Sequence, residues 1–389
     1  MKKRSIVKPL YKGRSICNIL PTIAEYNSIK SSDGVRRYVL EKDIGDKFIE
    51  SLEKAKRIVI LEVDALGYDL FVKAKRKFSY LKDSVKISSV FPTYTHTAFT
   101  SFITGTSPSK HGVVTGTFMK DGVVGWMGNL SKSEKFSRNL ITCESLLQNF
   151  NKQGKKVVSI LYDVNDDNFS KYLYPNPTFV SSKSSAQALI EQAYDVEKRV
   201  FEKILEVPPH DFYILSAYFW FLDGVSGEYG KFNKETFNYL DFFFRRVEHL
   251  MEKFPRKTLF VIIGDHGHTS LRKTVVISKE TIERINQRSK SQFALDGRVM
   301  MFYSQNPNLT RRLFNKSVGN FVEEISKDNY IHLMGGKCEV EDRIGNLIFL
   351  AKPHCTIRLK PKKKKATHGG PSKEEMETVF GFFTNSVLF

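Results

Sequence analysis

The chain has 389 residues and a formal charge of +19, from 61 Lys and Arg against 42 Asp and Glu. That length can bury a large core, as one big domain or two smaller ones. The charge points to an anionic partner, with nucleic acid among the candidates, although a Lys-rich solvated surface would give the same balance. The four cysteines are dispersed and form no C-x-x-C pair, which excludes a small disulfide-framed domain and fits thiols in a reducing compartment. No apolar stretch reaches about 18 residues, so a plain membrane span is excluded. The opening MKKRS lacks the apolar continuation of a signal peptide. Together these features predict a soluble, cytoplasmic protein.

In chain order, a strand over 57–63 stops at Asp64, with Gly67 close behind. A strand over 84–90 leads into 91-FPTYTHTAFTSFITGTSPSKHG-112, where Thr93, Thr95 and Thr97 precede an apolar, helix-patterned run. A helix over 141–152, a strand over 156–161 and a helix over 184–206 follow. A strand over 211–217 belongs to an apolar run that ends in Asp223 among glycines, ahead of a helix over 234–254. The strand 258–263 stops at Asp265 and His266. Such alternation predicts a mainly parallel sheet with helices on both faces.

The segment 271–365 mixes short strands (274–278, 297–304, 345–351) with a helix near 308–326. It is expected to form a small α+β cap inserted into a core of residues 1–270 plus 366–389, its two ends returning to the main sheet. Behind it comes 366-ATHGGPSKEEM-376, with His368 ahead of a helix. The run 360-KPKKKK-365 just before it either steers a polyanionic substrate or forms a surface loop. There is no internal repeat and no long low-complexity linker.

A hydroxyl at the start of a helix faces unpaired backbone N–H groups and the positive end of the dipole. That is a place for a nucleophile that must carry a phosphoryl group, but a threonine there, taken alone, reads first as an ordinary N-cap. The Asp and His residues supply the other half of the pattern. They lie just beyond strand ends, the ligand-binding edge of an open α/β sheet. Carboxylate and imidazole without thiolate suit zinc, manganese or a similar divalent ion.

The ordered set resembles the alkaline phosphatase superfamily, in its type I phosphodiesterase/nucleotide pyrophosphatase branch, and is most similar to the compact microbial members. The similarity runs from 14-RSICNILPTI-23 through the Asp64, Thr95, Asp223 and Asp265-His266 segments to 343-RIGNLIFLAK-352 and 368-HGGPSKEEM-376. It implies an alkaline phosphatase-like three-layer α/β sandwich and a metal-dependent phosphodiesterase or phosphohydrolase. Thr95 matches the nucleophile, the second Thr of P-T-x-T, which would form a covalent phosphothreonine later released by water. Asp64, Asp265 and His266 match the ligands of one metal, which also contacts the nucleophile oxygen. Asp223 and His368 match two ligands of a second metal. Two zinc ions are expected, with manganese the alternative.

Two positions depart from the family pattern. The third ligand of the second metal should be a His four residues after Asp223, yet 223-DGVSGEYG-230 places Gly227 there. Glu228, His268, His96 or water are the candidate replacements, and an inactive relative acting as a basic binding module is the reading from another class. At Gly116 the nucleotide pyrophosphatases of vertebrates have an Asn that holds a phosphoryl oxygen; here a backbone N–H is the candidate donor. A phosphomonoesterase or mutase on the same fold is the alternative within the enzyme class. The expected substrate is an anionic phosphoester or nucleotide.

Overall fold

The strand Arg57–Val63 is buried on both sides, with Ile58 and Ile60 in one core and Val59, Leu61 and Val63 in another. Period-two alternation with apolar residues on both faces marks an inner strand of a covered parallel sheet. A computed structural model describes residues 6–130, 133–163, 168–184 and 188–385. In it this strand is the fourth of seven, between Thr258–Gly264 and Ile214–Phe219. Val157–Asp163 and Pro177–Ser181 extend the parallel ladder beyond Ile214–Phe219. At the other edge Glu377–Thr384 runs antiparallel between Thr258–Gly264 and Val85–Ser88.

Helices cover both faces, as alternating elements require. One face carries Ile19–Tyr26, Lys42–Glu53 and Thr95–Thr104; the other carries Tyr68–Ala74, Leu189–Glu206, Phe221–Tyr229 and Lys234–Lys253. The architecture is the mainly parallel, three-layer α/β arrangement expected. Within it Glu62 is fully buried, accepting hydrogen bonds from Tyr174 Oη (2.6 Å) and the Ser216 hydroxyl. Burial pushes its carboxyl up to about 7.

Residues 291–351 hold a second, antiparallel sheet of four strands, in the order Ser291–Asp296, Val299–Ser304, Leu347–Ala351, Val322–Ile325. Its inner face (Ala294, Val299, Met301, Ile348, Leu350) joins the core that contains the Thr95 helix. Its outer face packs on Lys279–Ser289 and Pro307–Val318 through Ile285, Phe302, Phe314 and Phe349. Outside this sheet, Thr269–Ser270 pairs antiparallel with Ala366–Thr367.

Several boundaries differ from the sequence expectation, each for a local reason. The helix near 308–326 ends at Val318, where Gly319 adopts φ 59° and releases Val322–Ile325 to become an edge strand. The helix over 141–152 begins only at Leu146, because Ser145 Oγ caps the Gln148 N–H at 3.2 Å. The helix after His368 is one turn, Lys373–Met376, and the chain then enters the strand Glu377–Thr384. Among the described residues no helix is long and apolar enough to cross a membrane.

Candidate active site

Three neighbouring strands end side by side, and each delivers an acid. Asp265 follows Thr258–Gly264, Asp64 follows Arg57–Val63, and Asp223 lies in the first turn of the helix after Ile214–Phe219. The Asp64 and Asp265 loops are pressed together: a Cβ on Gly67 would stand 2.8 Å from Gly267 Cα, so glycine is required there. Ala65, at φ 62°, turns its N–H toward Asp265 Oδ1 (2.9 Å), and the His266 N–H reaches the same oxygen at 2.7 Å. Asp265 Oδ1 is thereby satisfied, while Oδ2 is buried without a hydrogen-bond partner.

Thr95 is the first residue of the helix Thr95–Thr104. Its Oγ1 lies 3.4 Å from both oxygens of Asp64 and 3.2 Å from His266 Nε2. The flanking threonines are placed elsewhere. Thr93 is buried, donating to Gly370 O and accepting from the Gly369 N–H, and Thr97 is fully buried within the helix. Only Thr95 of the three presents its hydroxyl to the acids.

The hydrogen-bond network assigns the imidazole tautomers. His266 Nδ1 faces Gly267 O at 3.2 Å and His368 Nδ1 faces Thr93 O at 2.8 Å; a carbonyl only accepts, so Nδ1 carries the hydrogen in both. Ser226 Oγ donates to Leu222 O at 2.6 Å, so it must accept from His268 Nδ1 at 2.8 Å. All three Nε2 lone pairs therefore point at carboxylates. His266 Nε2 is 3.2 Å from Asp265 Oδ2 and 3.5 Å from Asp64 Oδ1. His268 and His368 approach Asp223 Oδ1 at 2.8 and 3.4 Å. Burial lowers the pKa of all three rings, so protonation does not bridge these contacts near neutral pH.

Lone pairs converging on carboxylate oxygens make candidate cation sites, and among the described residues there are two such groups. Asp64, Asp265 and His266 form one group, and Asp223, His268 and His368 the other, with the ligand atoms of each within 4.8 Å of one another. The groups adjoin, since the His266 and His368 rings stack at 4.0 Å. Burial, then the charge of Asp223, pushes the Asp64 carboxyl well above its ordinary range; burial and then Asp64 do the same to Asp265. A bound cation reverses that shift by favouring the ionised forms. Burial would also raise Asp223, but the charge of Lys364, then the contact with His268, holds it well below the usual carboxylate range. These nitrogen and oxygen donors fit a divalent metal ion.

Every residue expected as a ligand lies in one of these groups, and His268 is the third member of the second. Glu228 is exposed on its helix and His96 stacks on Tyr94 at 5.5 Å, both outside the two groups. Gly116 is placed differently from expectation: its N–H donates to Asp296 Oδ2 (2.9 Å), shared with the Thr115 hydroxyl (2.8 Å), so it is already engaged. The side-chain space at Gly116 is filled by the Tyr94 ring, 2.2 Å from where a Cβ would be. Tyr94 also accepts from Trp126 Nε1 (3.2 Å) and tilts toward His368 at 5.8 Å, giving the site an aromatic wall. Sequence reading missed Tyr218, whose hydroxyl donates to Asp64 Oδ2 at 2.6 Å. It sits in an apolar strand, and only strand register brings it to Asp64.

Comparison with known proteins bears on the family and the fold. Residues 58–372 match the family type I phosphodiesterase / nucleotide pyrophosphatase. Phosphonoacetate hydrolase from Sinorhizobium meliloti 1021, solved with phosphonoformate or phosphonoacetate, superposes with a TM-score of 0.63 at 15% identity, over 85% of this chain and 90% of that one. Murine ectonucleotide pyrophosphatase / phosphodiesterase 5, an inactive form in complex with AMP, gives 0.59 at 12% identity over 84% and 87%. Its human counterpart gives 0.60 at 13% over 85% and 89%. At such identities the likeness is one of fold. No curated protein matches the chain. The family match spans most of the sequence and takes in all seven of the residues that converge here, so the chain belongs to the type I phosphodiesterase / nucleotide pyrophosphatase family, phosphoester hydrolases of the alkaline phosphatase superfamily.

Proposed function

We propose that the protein hydrolyses phosphoesters through Thr95 as nucleophile, with one divalent metal held by Asp64, Asp265 and His266 and a second by Asp223, His268 and His368. Zinc is the first choice and manganese the second, on the donor set. The observation that carries the reading is Thr95 Oγ1, held between Asp64 and His266 Nε2 at the start of a helix. When bound, the metals supply Lewis acidity that makes the Thr95 alkoxide accessible near neutral pH and offsets charge on the phosphoryl oxygens.

The chain's own residues do the rest. Thr95 gives up its hydroxyl proton and forms the bond from Oγ1 to phosphorus. The bond from phosphorus to the leaving oxygen breaks, and that oxygen departs with the electron pair and takes a proton. Water then forms a new bond to phosphorus, the Oγ1–phosphorus bond breaks, and Thr95 recovers its proton. Developing negative charge falls at the N-terminus of the Thr95 helix, where the first backbone N–H groups have no partner within the helix. Tyr218 fixes Asp64, and Thr93 O fixes the His368 ring, so both ligands are oriented before substrate arrives.

The ligands of the structural neighbours, two phosphonates and AMP, support a phosphoryl or phosphonyl group as the reacting centre. The cysteines Cys17, Cys143, Cys338 and Cys355 are unpaired, which supports the cytoplasmic setting. The test is hydrolysis of bis-p-nitrophenyl phosphate with zinc, manganese and magnesium supplied in turn, alongside metal content, for wild type and Thr95→Ala. The variant is expected to keep its metal and lose on the order of 10⁴-fold or more in kcat. Turnover like that of the wild type in Thr95→Ala would sink the assignment.

A further inference from the structure

Gly227 stands one helical turn after Asp223, on the same face of the helix Phe221–Tyr229. The space a side chain would take there is not left open. A Cβ built on Gly227 would lie 3.1 Å from Lys364 Nζ and 3.5 Å from its Cδ and Cε. Even a methyl group there would press on the lysine, which would have to give by a few tenths of an ångström.

Lys364 is held in place by its neighbours. The Lys365 N–H donates to Gly227 O at 2.7 Å, and Lys365 O accepts from the Leu271 N–H at 2.7 Å. The next two residues, Ala366 and Thr367, pair with Ser270 and Thr269. The basic run is therefore strapped across the Asp223 helix immediately before His368.

The two oxygens of Asp223 face different groups. Oδ1 meets His268 and His368, whereas Oδ2 looks toward Lys364 Nζ at 3.7 Å. That distance exceeds a hydrogen bond, so the contact leaves the ammonium with donors to spare. The side chain is 20% exposed, open to whatever enters the site from solvent.

We propose that Lys364 is a phosphoryl-binding residue whose ammonium takes a non-bridging oxygen of the substrate, and that it favours dianionic phosphoryl groups, as in phosphomonoesters and phosphonates, over monoanionic diesters. The inference rests on the function proposed above and adds the class of phosphoryl group the site prefers. An ammonium acts on phosphate as a point charge, so its benefit grows with the charge of the ligand. Where the family pattern has an imidazole, this chain has Gly227 with the Lys364 ammonium beside it. A lysine that served only as a partner for Asp223 would instead affect how the second metal is held.

Three proteins separate these roles: the metal-replete wild type, Lys364→Met and Lys364→Arg. Inorganic phosphate is titrated calorimetrically, metal content is measured, and kcat/KM is compared for p-nitrophenyl phosphate and bis-p-nitrophenyl phosphate. Lys364→Met is expected to weaken phosphate binding about ten- to a hundredfold. The monoester-to-diester ratio should fall by a similar factor, metal content should hold, and Lys364→Arg should recover part of both. Unchanged phosphate affinity, an unchanged ratio, metal loss in step with affinity, or no phosphate binding by the wild type would each overturn the proposal. A wild type that binds phosphate through Lys364 yet hydrolyses neither ester would refute the hydrolytic function and leave the phosphate site standing.

Discussion

His268 stands on Ser226: its Nδ1 lies 2.8 Å from a hydroxyl oxygen whose own hydrogen is committed to Leu222 O. That one hydroxyl decides which ring nitrogen faces Asp223. Ser226→Ala should remove the constraint on the ring and weaken the second metal about 10- to 100-fold, leaving the first unaffected. Chelator competition on the two proteins checks this. Equal affinities at both sites would mean that His268 needs no such support.

Gly227→His restores the residue that the family pattern expects, but the slot is occupied by Lys364 and the ligand group already contains His268. The variant is expected to bind no more metal than the wild type by elemental analysis. A rise in metal content would show that the second group was incomplete and that His268 is not a ligand.

Arg298 crosses from the four-stranded antiparallel sheet into the His368 loop. Its Nε is 2.8 Å from Glu375 Oε1, both side chains are buried, and Glu375 in turn accepts from the Gly370 N–H (2.8 Å) and the Ser372 hydroxyl (2.6 Å). Removing one member of a buried pair strands the other charge. Arg298→Met should cost about 3–5 kcal/mol in chemical denaturation, partly recovered by adding Glu375→Gln. A loss under about 1 kcal/mol would show that the pair is not a structural link.

Glu62 makes stability depend on pH in an uncommon direction for a carboxylate. Its folded value of about 7 lies above the ordinary 4.5, so the folded state holds a proton that the unfolded state has released. This contribution is complete below the unfolded value. It then falls by about 1.4 kcal/mol per pH unit as the pH rises toward 7. Glu62→Gln removes the dependence, so between about pH 5 and pH 7 urea denaturation should shift in the variant's favour by roughly 2 kcal/mol. Parallel stability profiles would contradict this account.

How much of this was legible in the sequence depended on whether a signal was local. The strands ending at Asp64 and Asp265 are apolar runs of β-formers cut off by a charge, and chain order alone marks them. The third ligand was another matter, because His268, Glu228 and His96 are equal candidates until distances exist. Three-dimensional placement separates them: Glu228 is exposed and His96 stacks on Tyr94. Lys364 was visible only as one charge in a run, and nothing local ties it to Gly227. The strand Glu377–Thr384 was missed because its pairing partners lie far away in sequence, at 258–264 and 85–88.

That late strand also bears on how the protein is made. A ribosome reaching residue 270 has already produced Thr95, Asp64, Asp223 and the Asp265–His268 loop. The edge of Thr258–Gly264 that Glu377–Thr384 will cover is then still bare, and His368 does not yet exist. A chain cut before Glu377 is expected to bind no metal, and elemental analysis of the truncated protein would check it. Completion of the sheet beside the centre thus waits on a strand made more than a hundred residues after the Thr258–Gly264 strand it covers.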